Sequence, residues 1–359
     1  MTDIIVIGGG IAGLSAAARL SADAKVTVLE AETALGFHAS GRSAALFEEN
    51  YGLASTVALN KAGAEYHRSH AGGYLSPRGL LILAEAHDRA GFDHDMGVMG
   101  VHEITTQEAL AMVPVLNSEK VAFAGYHSEA YDIDTDRMMQ DFAREVRKNG
   151  GQVLTGAAVT GIRRENGHWH VDCGAQSHSA PQLVNAAGAW ADGVAEMAGV
   201  APLGIVPHRR SMARIPAPGG HDTRDWPMFF GIGETWYAKP DAGALLVSPA
   251  EEHVTTAHDA YADDMVLAEG LARYEALVTE PVTRLLASWA GLRSFAPDRN
   301  LVLGRDPDTP EFIWSAGQGG YGFQTAPAAS QLVADLVMGR TPVLTTETVS
   351  ALTPDRLRG

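Results

Sequence analysis

The sequence predicts a chain of mixed α/β and α+β class, with one parallel sheet flanked by helices and a second region built on a mixed sheet. Over residues 4–30 a β-branched run, a glycine turn, an Ala- and Leu-rich helix and a second strand follow one another, and such a unit implies parallel pairing. Strand-to-helix transitions return at 183–190 and 312–325. Between about 202 and 295, short β-like runs alternate with Pro and Gly turns instead. These pieces indicate a discontinuous parallel-sheet domain interrupted by a second domain.

The individual elements follow from periodicity and capping signals. Thr105-x-x-Glu108 is a capping box before a short helix that stops near Pro114. Apolar residues keep helical spacing over 135–149, and Asn166-Gly167 is typical of a hairpin turn. Past residue 31 the chain is predicted to be loop-like. The remaining predicted elements are helices over 11–22, 262–278 and 325–338 and strands over 26–30, 152–155, 159–164, 168–172, 301–304 and 312–315.

Composition limits the classes of partner. The 359 residues suggest about two domains, and the net charge of −16 argues against nucleic acid or an anionic membrane surface, since both need a basic face. A single cysteine, Cys173, excludes an internal disulfide framework, and no clustered His or Cys spacing suggests a catalytic metal. Without a signal peptide or a long apolar run, we expect a cytoplasmic protein with no integral membrane segment. Peripheral contact with the inner face of the membrane is left open.

A glycine-rich turn carries the first functional signal. Gly8-x-Gly10-x-x-Gly13 fits the dinucleotide-binding fingerprint, in which the glycines permit a tight turn, backbone approach to a pyrophosphate and close helix–strand packing. Glu30 ends the next strand, where a carboxylate can accept the ribose hydroxyls. A second glycine cluster at 317–322 would bring a late segment back to the cofactor, which favours an extended flavin dinucleotide over a nicotinamide one.

With these motifs, nearly the whole chain resembles the D-amino-acid oxidase superfamily of FAD-dependent oxidoreductases, and within it most closely the bacterial D-arginine dehydrogenases. The resemblance also rests on residues 38–45, 132–136, 184–190, 209–211, 289–295 and 318–325. It implies a Rossmann-like FAD-binding domain of the glutathione-reductase type beside a mixed-sheet substrate domain. The expected FAD-binding domain comprises residues 1–80, 140–200 and 296–359, and the expected substrate domain comprises residues 81–139 and 201–295.

The resemblance implies non-covalent FAD, because Cys173 matches no flavin attachment motif; attachment through His38 is the alternative. Loop 39–46 is expected to wrap the flavin ring and pyrophosphate, and the backbone of Val159 to meet the adenine. The turn at 319–324 is expected to stabilise negative charge on the reduced flavin. The full set of implied cofactor-binding residues is Gly8, Gly10, Ile11, Ala12, Gly13, Glu30, Ala31, Ala39, Ser40, Gly41, Arg42, Ser43, Ala44, Ala45, Leu46, Val159, Ala187, Gly188, Trp190, Arg293, Gly319, Gly320, Tyr321, Gly322, Phe323 and Gln324.

The resemblance also implies a site for a small carboxylate substrate. Arg210 and Arg293 match two arginines that bind the substrate carboxylate, a group that suits a guanidinium fork, and Arg209 is the adjacent alternative to Arg210. Tyr51 and Tyr237 match two tyrosines of the substrate pocket. The expected catalytic residues are therefore Tyr51, Tyr237, Arg210 and Arg293, and Leu46, Leu80, Gly320 and Tyr321 complete the substrate-binding set.

Two positions depart from the D-arginine dehydrogenases. Leu80 stands where those enzymes carry a glutamate for the guanidinium, and Leu46 stands where they carry a histidine. Both changes favour an apolar or small substrate side chain over a basic one. Glu48 and Glu49 could still bind an amine, although a solvated acidic loop is the favoured interpretation. Lys239 is interpreted as structural.

The sequence therefore predicts an FAD-dependent D-amino-acid dehydrogenase, which forms a 2-oxo acid and ammonia after hydride transfer from Cα to flavin N5. The alternative is oxidation of a 2-hydroxy acid or of a secondary amine, such as an N-alkyl amino acid or a proline derivative. A third hypothesis is a flavin-stabilised scaffold without turnover. The electron acceptor, a quinone or another carrier, is left open, and we expect a monomer or a homodimer.

Overall fold

The computed structural model describes residues 2–358, which form two large sheets and two small ones. The helices are α1 (Ile11–Leu20), α2 (Ala54–Ser69), α3 (Arg89–Met99), α4 (Thr106–Met112), α5 (Thr135–Lys148), α6 (Ala191–Met197), α7 (Asp264–Glu275), α8 (Gly322–Met338) and α9 (Thr346–Ser350). The strands are β1 (Ile4–Ile7), β2 (Val26–Leu29), β3 (Leu46–Glu48), β4 (Leu75–Pro77), β5 (Leu80–Ala84), β6 (His102–Ile104), β7 (Phe123–His127), β8 (Ala130–Ile133), β9 (Gln152–Leu154), β10 (Gly161–Glu165), β11 (His168–Cys173), β12 (Gln176–Ala180), β13 (Gln182–Asn185), β14 (Val206–Pro216), β15 (Met228–Gly231), β16 (Tyr237–Asp241), β17 (Ala244–Ser248), β18 (His253–Val254), β19 (Ala287–Phe295), β20 (Val302–Arg305) and β21 (Phe312–Ala316).

The first large sheet has six strands in the order β20-β21-β13-β1-β2-β9. All its pairs are parallel except β20 with β21. Every residue of β1 is buried, as expected of a strand covered on both faces. Helix α1 packs closely on this sheet because Ala16, Ala17 and Ala18 are all fully buried. The predicted parallel sheet flanked by helices is confirmed.

The second large sheet has nine strands and is mixed, as predicted. Strand β14 is its longest and pairs with β19 from Val206 to Arg214, while β18 and β17 share its other edge. The remaining strands continue in the order β17-β16-β15-β5-β7-β6, and only β5 and β15 run parallel. The strands of this sheet come from residues 80–127 and 206–295, which lie in the sequence between the segments that form the parallel sheet.

Two small three-stranded sheets complete the fold. In the sheet β10-β11-β12, Asn166 and Gly167 have φ angles of 50° and 77°, which confirms the predicted hairpin turn. The three strands of the sheet β3-β8-β4 all come between β2 and β9 in the sequence. The capping box of Thr105 and Glu108 is also confirmed, with both reciprocal bonds present.

Two stretches differ from the sequence prediction. The loop-like interpretation past residue 31 is wrong for residues 54–69, which form the sixteen-residue helix α2. Helix α5 shares the core of α1 along its whole buried face, from Met138 to Val146. We therefore propose a domain boundary near Asp134 rather than between residues 139 and 140.

Within residues 2–358, no helix combines the length and apolar character that a membrane span requires.

Candidate active site

A long cavity of about 580 Å³ runs along the carboxyl ends of the parallel strands. The residues that follow β1, β2 and β13, namely Gly8, Glu30 and Ala186, all line it. Ligands of open α/β sheets bind at this edge. The volume lies in the range of about 300–1,000 Å³ typical of cofactor and small-molecule sites. The cavity ends at Tyr237 and Arg293, where it meets a second, smaller cavity.

The glycine turn leaves no room for side chains. Gly8 has a φ of +111°, and a Cβ atom there would overlap the carbonyl of Ala186. A Cβ atom on Gly13 would likewise overlap the carbonyl of Gly8, so Gly13 acts in helix–strand packing and lines neither cavity. The amide of Ile11, at the first turn of α1, donates to Ser40 Oγ over 3.0 Å. A helix N-terminus with a close backbone approach suits a phosphate group.

Glu30 is fixed where a ribose would lie. Its side chain is buried, its Oε2 accepts the amide of Gly9 over 2.6 Å, and its Oε1 accepts the amide of Glu32 over 2.9 Å. An ionised carboxylate has about four acceptor positions, so two remain for ribose hydroxyls. Glu30 and Val159 both line the long cavity, and the amide of Ala157 donates to the carbonyl of Glu30 over 2.8 Å.

The loop at 39–46 is anchored from two sides. The guanidinium of Arg42 donates to the carbonyls of Ala260 and Ala290 over 2.8 and 2.9 Å and forms an ion pair with Asp259. Its donors are therefore largely committed to protein groups, although Arg42 lines the long cavity. On the other side, Lys239 Nζ donates to the carbonyl of Ala44.

Lys239 is buried and also lies 2.7 Å from Asp132 Oδ1. Burial lowers the pKa of Lys239, and Asp132 opposes that effect. These contacts agree with the interpretation of Lys239 as structural. Lys239 holds the loop at 39–46 from the side away from Arg42.

The small cavity has a volume of about 100 Å³ and collects the predicted substrate residues. Predicted residues that line it are Leu46, Tyr51, Leu80, Tyr237, Arg293 and Gly320. Four further residues were not predicted as part of the pocket, namely the apolar Met99, Met228 and Phe230 and the acidic Glu234. Glu48, which the sequence offered only as the less favoured amine-binding alternative, also lines it. Of the predicted cofactor-binding residues, Ala45, Leu46 and Gln324 line this cavity, while Gly13, Gly41 and Tyr321 line neither cavity. All the others line the long cavity.

Arg293 lies between the two cavities and lines both. A Cβ atom on Gly320 would lie 2.8 Å from Arg293 Cζ, so the guanidinium packs directly on the Gly320 backbone. Tyr321 does not line the pocket, but its ring packs edge-on against the ring of Tyr51 at 5.4 Å. Gly320 and Tyr321 therefore support the pocket groups from the start of α8.

Tyr51 contacts an acid that the sequence interpretation missed. Its hydroxyl donates to Glu234 Oε2 over 2.9 Å. Burial, and then the neighbouring Glu234, raise the pKa of Tyr51 far above its ordinary value, so the hydroxyl stays protonated. Glu234 follows a Gly-Ile-Gly turn and has a φ of +52°, an uncommon conformation for a residue with a side chain. The only sequence signal for this placement was the turn glycines beside Tyr237.

The favoured interpretation of Glu48 as part of a solvated loop is wrong. Glu48 is only 3% exposed, and its Oε2 lies 2.9 Å from Nε2 of the partly buried His127. It lies on the same face of β3 as Leu46, because side chains alternate along a strand. Glu49 points the other way and pairs with Arg68 near the surface. The i, i+2 spacing of Leu46 and Glu48 was the available signal.

Arg210 lies on β14 and lines the long cavity rather than the small one. It is 8% exposed, its Nη2 lies 3.1 Å from Glu252 Oε1, and its Nε and Nη1 are buried without a partner. Arg209, the alternative, lines neither cavity and approaches Glu251 and Asp263. Arg210 is thus the arginine with unused donors at the cofactor side of the site.

Two further features lie outside these cavities, the single cysteine and one cluster of possible metal ligands. Cys173 is partly buried and packs against the core around the parallel sheet, which agrees with a packing role. Glu85, His87 and Asp88 are the only group among residues 2–358 whose ligand atoms converge closely enough for a metal ion, and they line neither cavity.

Comparison with known proteins identifies the family. The family model described as "FAD dependent oxidoreductase" (DAO) matches residues 3–336. The chain belongs to this family. The glycine cradle, the fixed Glu30 and the long cavity fit the FAD that the family binds, and FAD is the cofactor.

Individual relatives support the same fold. Glycine oxidase of Geobacillus kaustophilus (strain HTA426) is 27% identical, over 93% of this chain and 92% of its own. Sarcosine oxidase subunit beta of Rhizobium meliloti (strain 1021) is 26% identical, over 95% of this chain and 85% of its own. The crystal structure of L-proline dehydrogenase from P. horikoshii superposes with a TM-score of 0.84 at 24% identity, covering 99% of this chain and 98% of that one. The predicted superfamily is confirmed, and the finer resemblance to D-arginine dehydrogenases stays a prediction.

Proposed function

We propose that this oxidoreductase oxidises a small α-amino acid, with a D-amino acid of small or apolar side chain as the leading substrate. The observation that carries the proposal is the small cavity, where one guanidinium and two carboxylates lie among apolar and uncharged polar side chains. A cation at one position and carboxylates at others complement a zwitterion. Loss of a proton and a hydride from the amino acid leaves an imino acid, which water hydrolyses in solution to a 2-oxo acid and ammonia.

The small cavity also limits the size of the substrate. Its volume of about 100 Å³ and the side chains of Leu46, Leu80 and Phe230 leave space for a few non-hydrogen atoms. A long basic side chain does not fit this space without movement of its walls. The cavity shares Tyr237, Arg293 and Phe323 with the long cavity, so a molecule held there would border the cofactor.

The chain's own groups have distinct tasks in this proposal. Arg293 would bind the substrate carboxylate through its planar fork. Tyr51, held protonated, would donate a hydrogen bond and hold Glu234 in place. Bound FAD supplies the oxidant, since its ring accepts a hydride from the substrate carbon. An ammonium group cannot lose a hydride from its carbon, so the substrate nitrogen first releases a proton to solvent. Glu234 and Glu48 would then stabilise the positive charge that grows on the nitrogen as the hydride leaves, and the buried walls would exclude water during that step.

The second candidate is oxidation of a secondary amine, such as an N-alkyl amino acid. It is favoured because the two carboxylates complement any cationic amine, whereas a 2-hydroxy acid offers them no cation. Relatives named for sarcosine and dimethylglycine, and a neighbouring structure named for iminodiacetate, share this amine chemistry.

Anaerobic reduction of the bound flavin tests the proposal. The holoenzyme is mixed without oxygen with glycine, D-alanine, D-arginine, sarcosine and glycolate, and the visible flavin band is followed. We expect bleaching by glycine and D-alanine, little by D-arginine, and none by glycolate. L-Alanine is the control for the stereochemical preference of the site. Bleaching by glycolate alone would establish the hydroxy-acid alternative, and bleaching by none of these compounds would favour the scaffold hypothesis.

A further inference from the structure

Three arginines converge on one carboxylate beside the proposed site. Glu252 Oε1 lies 3.1 Å from Arg210 Nη2 and 3.6 Å from Arg293 Nη1. Its other oxygen, Oε2, lies 2.7 Å from Arg299 Nη2. Arg299 in turn stacks on the ring of Phe295 at 3.8 Å, which fixes its position. Glu252 therefore bridges both arginines that the sequence assigns to the substrate carboxylate.

The two bridged arginines start from the same face of the sheet. On the antiparallel strands β14 and β19, Arg210 is paired with Gly291 and His208 with Arg293. Arg210 and Arg293 are thus diagonal neighbours on adjacent strands, close enough for long side chains to meet. Two guanidinium groups at this spacing repel one another, and a shared carboxylate removes that repulsion.

Glu252 contacts the arginines from outside the cavities. It lines neither cavity, whereas Arg210 lines the long one and Arg293 lines both. The two buried nitrogens of Arg210 that lack a partner, Nε and Nη1, are therefore not the ones that Glu252 uses. The bridge therefore leaves these two nitrogens of Arg210 without a protein partner, in a side chain that lines the long cavity beside Arg293.

We propose that Glu252 is a positioning residue that holds Arg210 and Arg293 together in the orientation needed to bind the substrate carboxylate. This inference rests on the proposed function, because it assumes a substrate with a carboxylate. Burial alone would raise the pKa of Glu252, but Arg299, Arg210 and Arg293 together hold it below its ordinary value. The bridge is consequently charged throughout the neutral range.

Three variants test the bridge in the FAD-loaded enzyme: Glu252→Gln, Arg299→Gln and the double variant. The first probe is acetate, a carboxylate that needs no turnover, titrated against the visible flavin spectrum. The second is the ratio of flavin-reduction efficiency for D-alanine over D-alaninamide, which lacks the carboxylate. Glu269→Gln on α7 is the control, because it removes one exposed negative charge that contacts none of these arginines.

We expect Glu252→Gln to weaken acetate binding at least about tenfold and to lower the acid-to-amide ratio by a similar factor, mainly through KM. Arg299→Gln should act in the same direction more weakly, and it should add nothing in the double variant, because it acts through Glu252. FAD content and melting temperature of each variant establish that the protein is folded. If Glu252→Gln fails to fold, the acetate affinity of Arg299→Gln decides the question.

Two results would overturn the inference. Unchanged acetate affinity in folded Glu252→Gln means that the arginines need no bridge. Tighter acetate binding means that Glu252 competes with the substrate carboxylate instead of positioning its receptors. Failure of D-alanine to reduce the wild-type flavin contradicts the proposed function alone, because acetate binding still reports on the arginine pair.

Discussion

The two cavities meet at Arg293 but are made of different parts of the chain. Nearly half of the residues that line the long cavity are glycine or alanine, and several of them directly follow the strands of one parallel sheet. The small cavity is lined by long side chains from widely separated segments, among them Leu46, Leu80, Phe230 and Arg293. The shape of the long cavity depends on glycine positions at which a side chain would overlap the backbone. The shape of the small cavity depends on which side chains the sheets bring together.

This contrast explains why the cofactor is easier to assign than the substrate. A cradle of backbone amides accepts the same dinucleotide whatever the neighbouring side chains are, because phosphate binding uses the helix N-terminus and the turn. A pocket of side chains changes its preference when one residue changes. Variants of the long cavity should therefore affect cofactor content, and variants of the small cavity should affect substrate kinetics with the cofactor retained.

The largest effect is expected at Gly13. Replacement by alanine would force a methyl group into the carbonyl of Gly8, so α1 would move away from β1. We expect Gly13→Ala to lose most bound FAD and to cost about 3 kcal/mol of stability, as overpacking does. FAD absorbance per protein and urea denaturation measure both effects. Gly97→Ala is the matched control, since that helix position is open and exposed and alanine there should be neutral or stabilising. Normal FAD content in Gly13→Ala would contradict the packing argument.

The next largest effect is expected at Arg293. Arg293→Met keeps much of the side-chain volume but removes the guanidinium that lines both cavities. We expect KM for a carboxylate substrate to rise about 100-fold while FAD stays bound, because the carboxylate loses its bidentate partner. Arg214→Met, on β14 and outside both cavities, is the control. A loss of FAD without a change in KM would instead assign Arg293 to the cofactor.

The sequence could predict the cradle because its signals are local. The glycine spacing, Glu30 at the end of β2 and the turn before α8 each lie within a few residues of the element they control. Helix α2 was missed for a physical reason: Ser55, Thr56, Asn60 and His67 are all on its buried face, so the usual apolar periodicity is absent. A helix whose inner face is polar looks like a loop by hydrophobic pattern alone.

The acidic residues of the pocket were missed for a different reason. Glu48 lies on a three-residue strand, which is too short to establish an alternating pattern, and its partner His127 comes from β7. Glu234 reaches the pocket through a turn with a positive φ, and no residue type in the sequence predicts that conformation for glutamate. Both placements depend on tertiary structure, as does the bridge from Glu252 to three arginines.

A third effect concerns the packing of α2 behind the small cavity. His67 of α2 is fully buried, and its Nε2 lies 3.0 Å from the carbonyl of Gln324, a residue of the small cavity. Burial lowers the pKa of His67 to about 4. Because the unfolded chain binds this proton at a higher pH than the folded one, stability is lost as pH falls from about 6.5 towards 4.

The size of that loss can be measured against a variant that does not titrate. His67→Gln keeps an N–H donor for the carbonyl of Gln324. Between pH 7.5 and 4.5 we expect the wild type to lose about 2 kcal/mol more than His67→Gln, measured by urea denaturation. Above pH 7 the two proteins should show the same dependence on pH. Parallel curves over the whole range would mean that folding does not change the pKa of His67.

The smallest effect, and the sharpest test of the side-chain pocket, is expected at Glu234. As a hydride leaves an amine, positive charge grows on the nitrogen, and a nearby carboxylate stabilises it. Glu234→Gln removes this charge, while the amide oxygen can still accept from Tyr51. We expect kcat/KM for the amino acid substrate to fall about tenfold, or roughly 1.4 kcal/mol, with acetate binding unchanged. Glu49→Gln is the control, because that neighbouring carboxylate pairs with Arg68 and lines neither cavity. Equal kinetics in the two variants would show that the pocket selects its substrate by shape and by Arg293 alone, which would restore the hydroxy acid as a candidate.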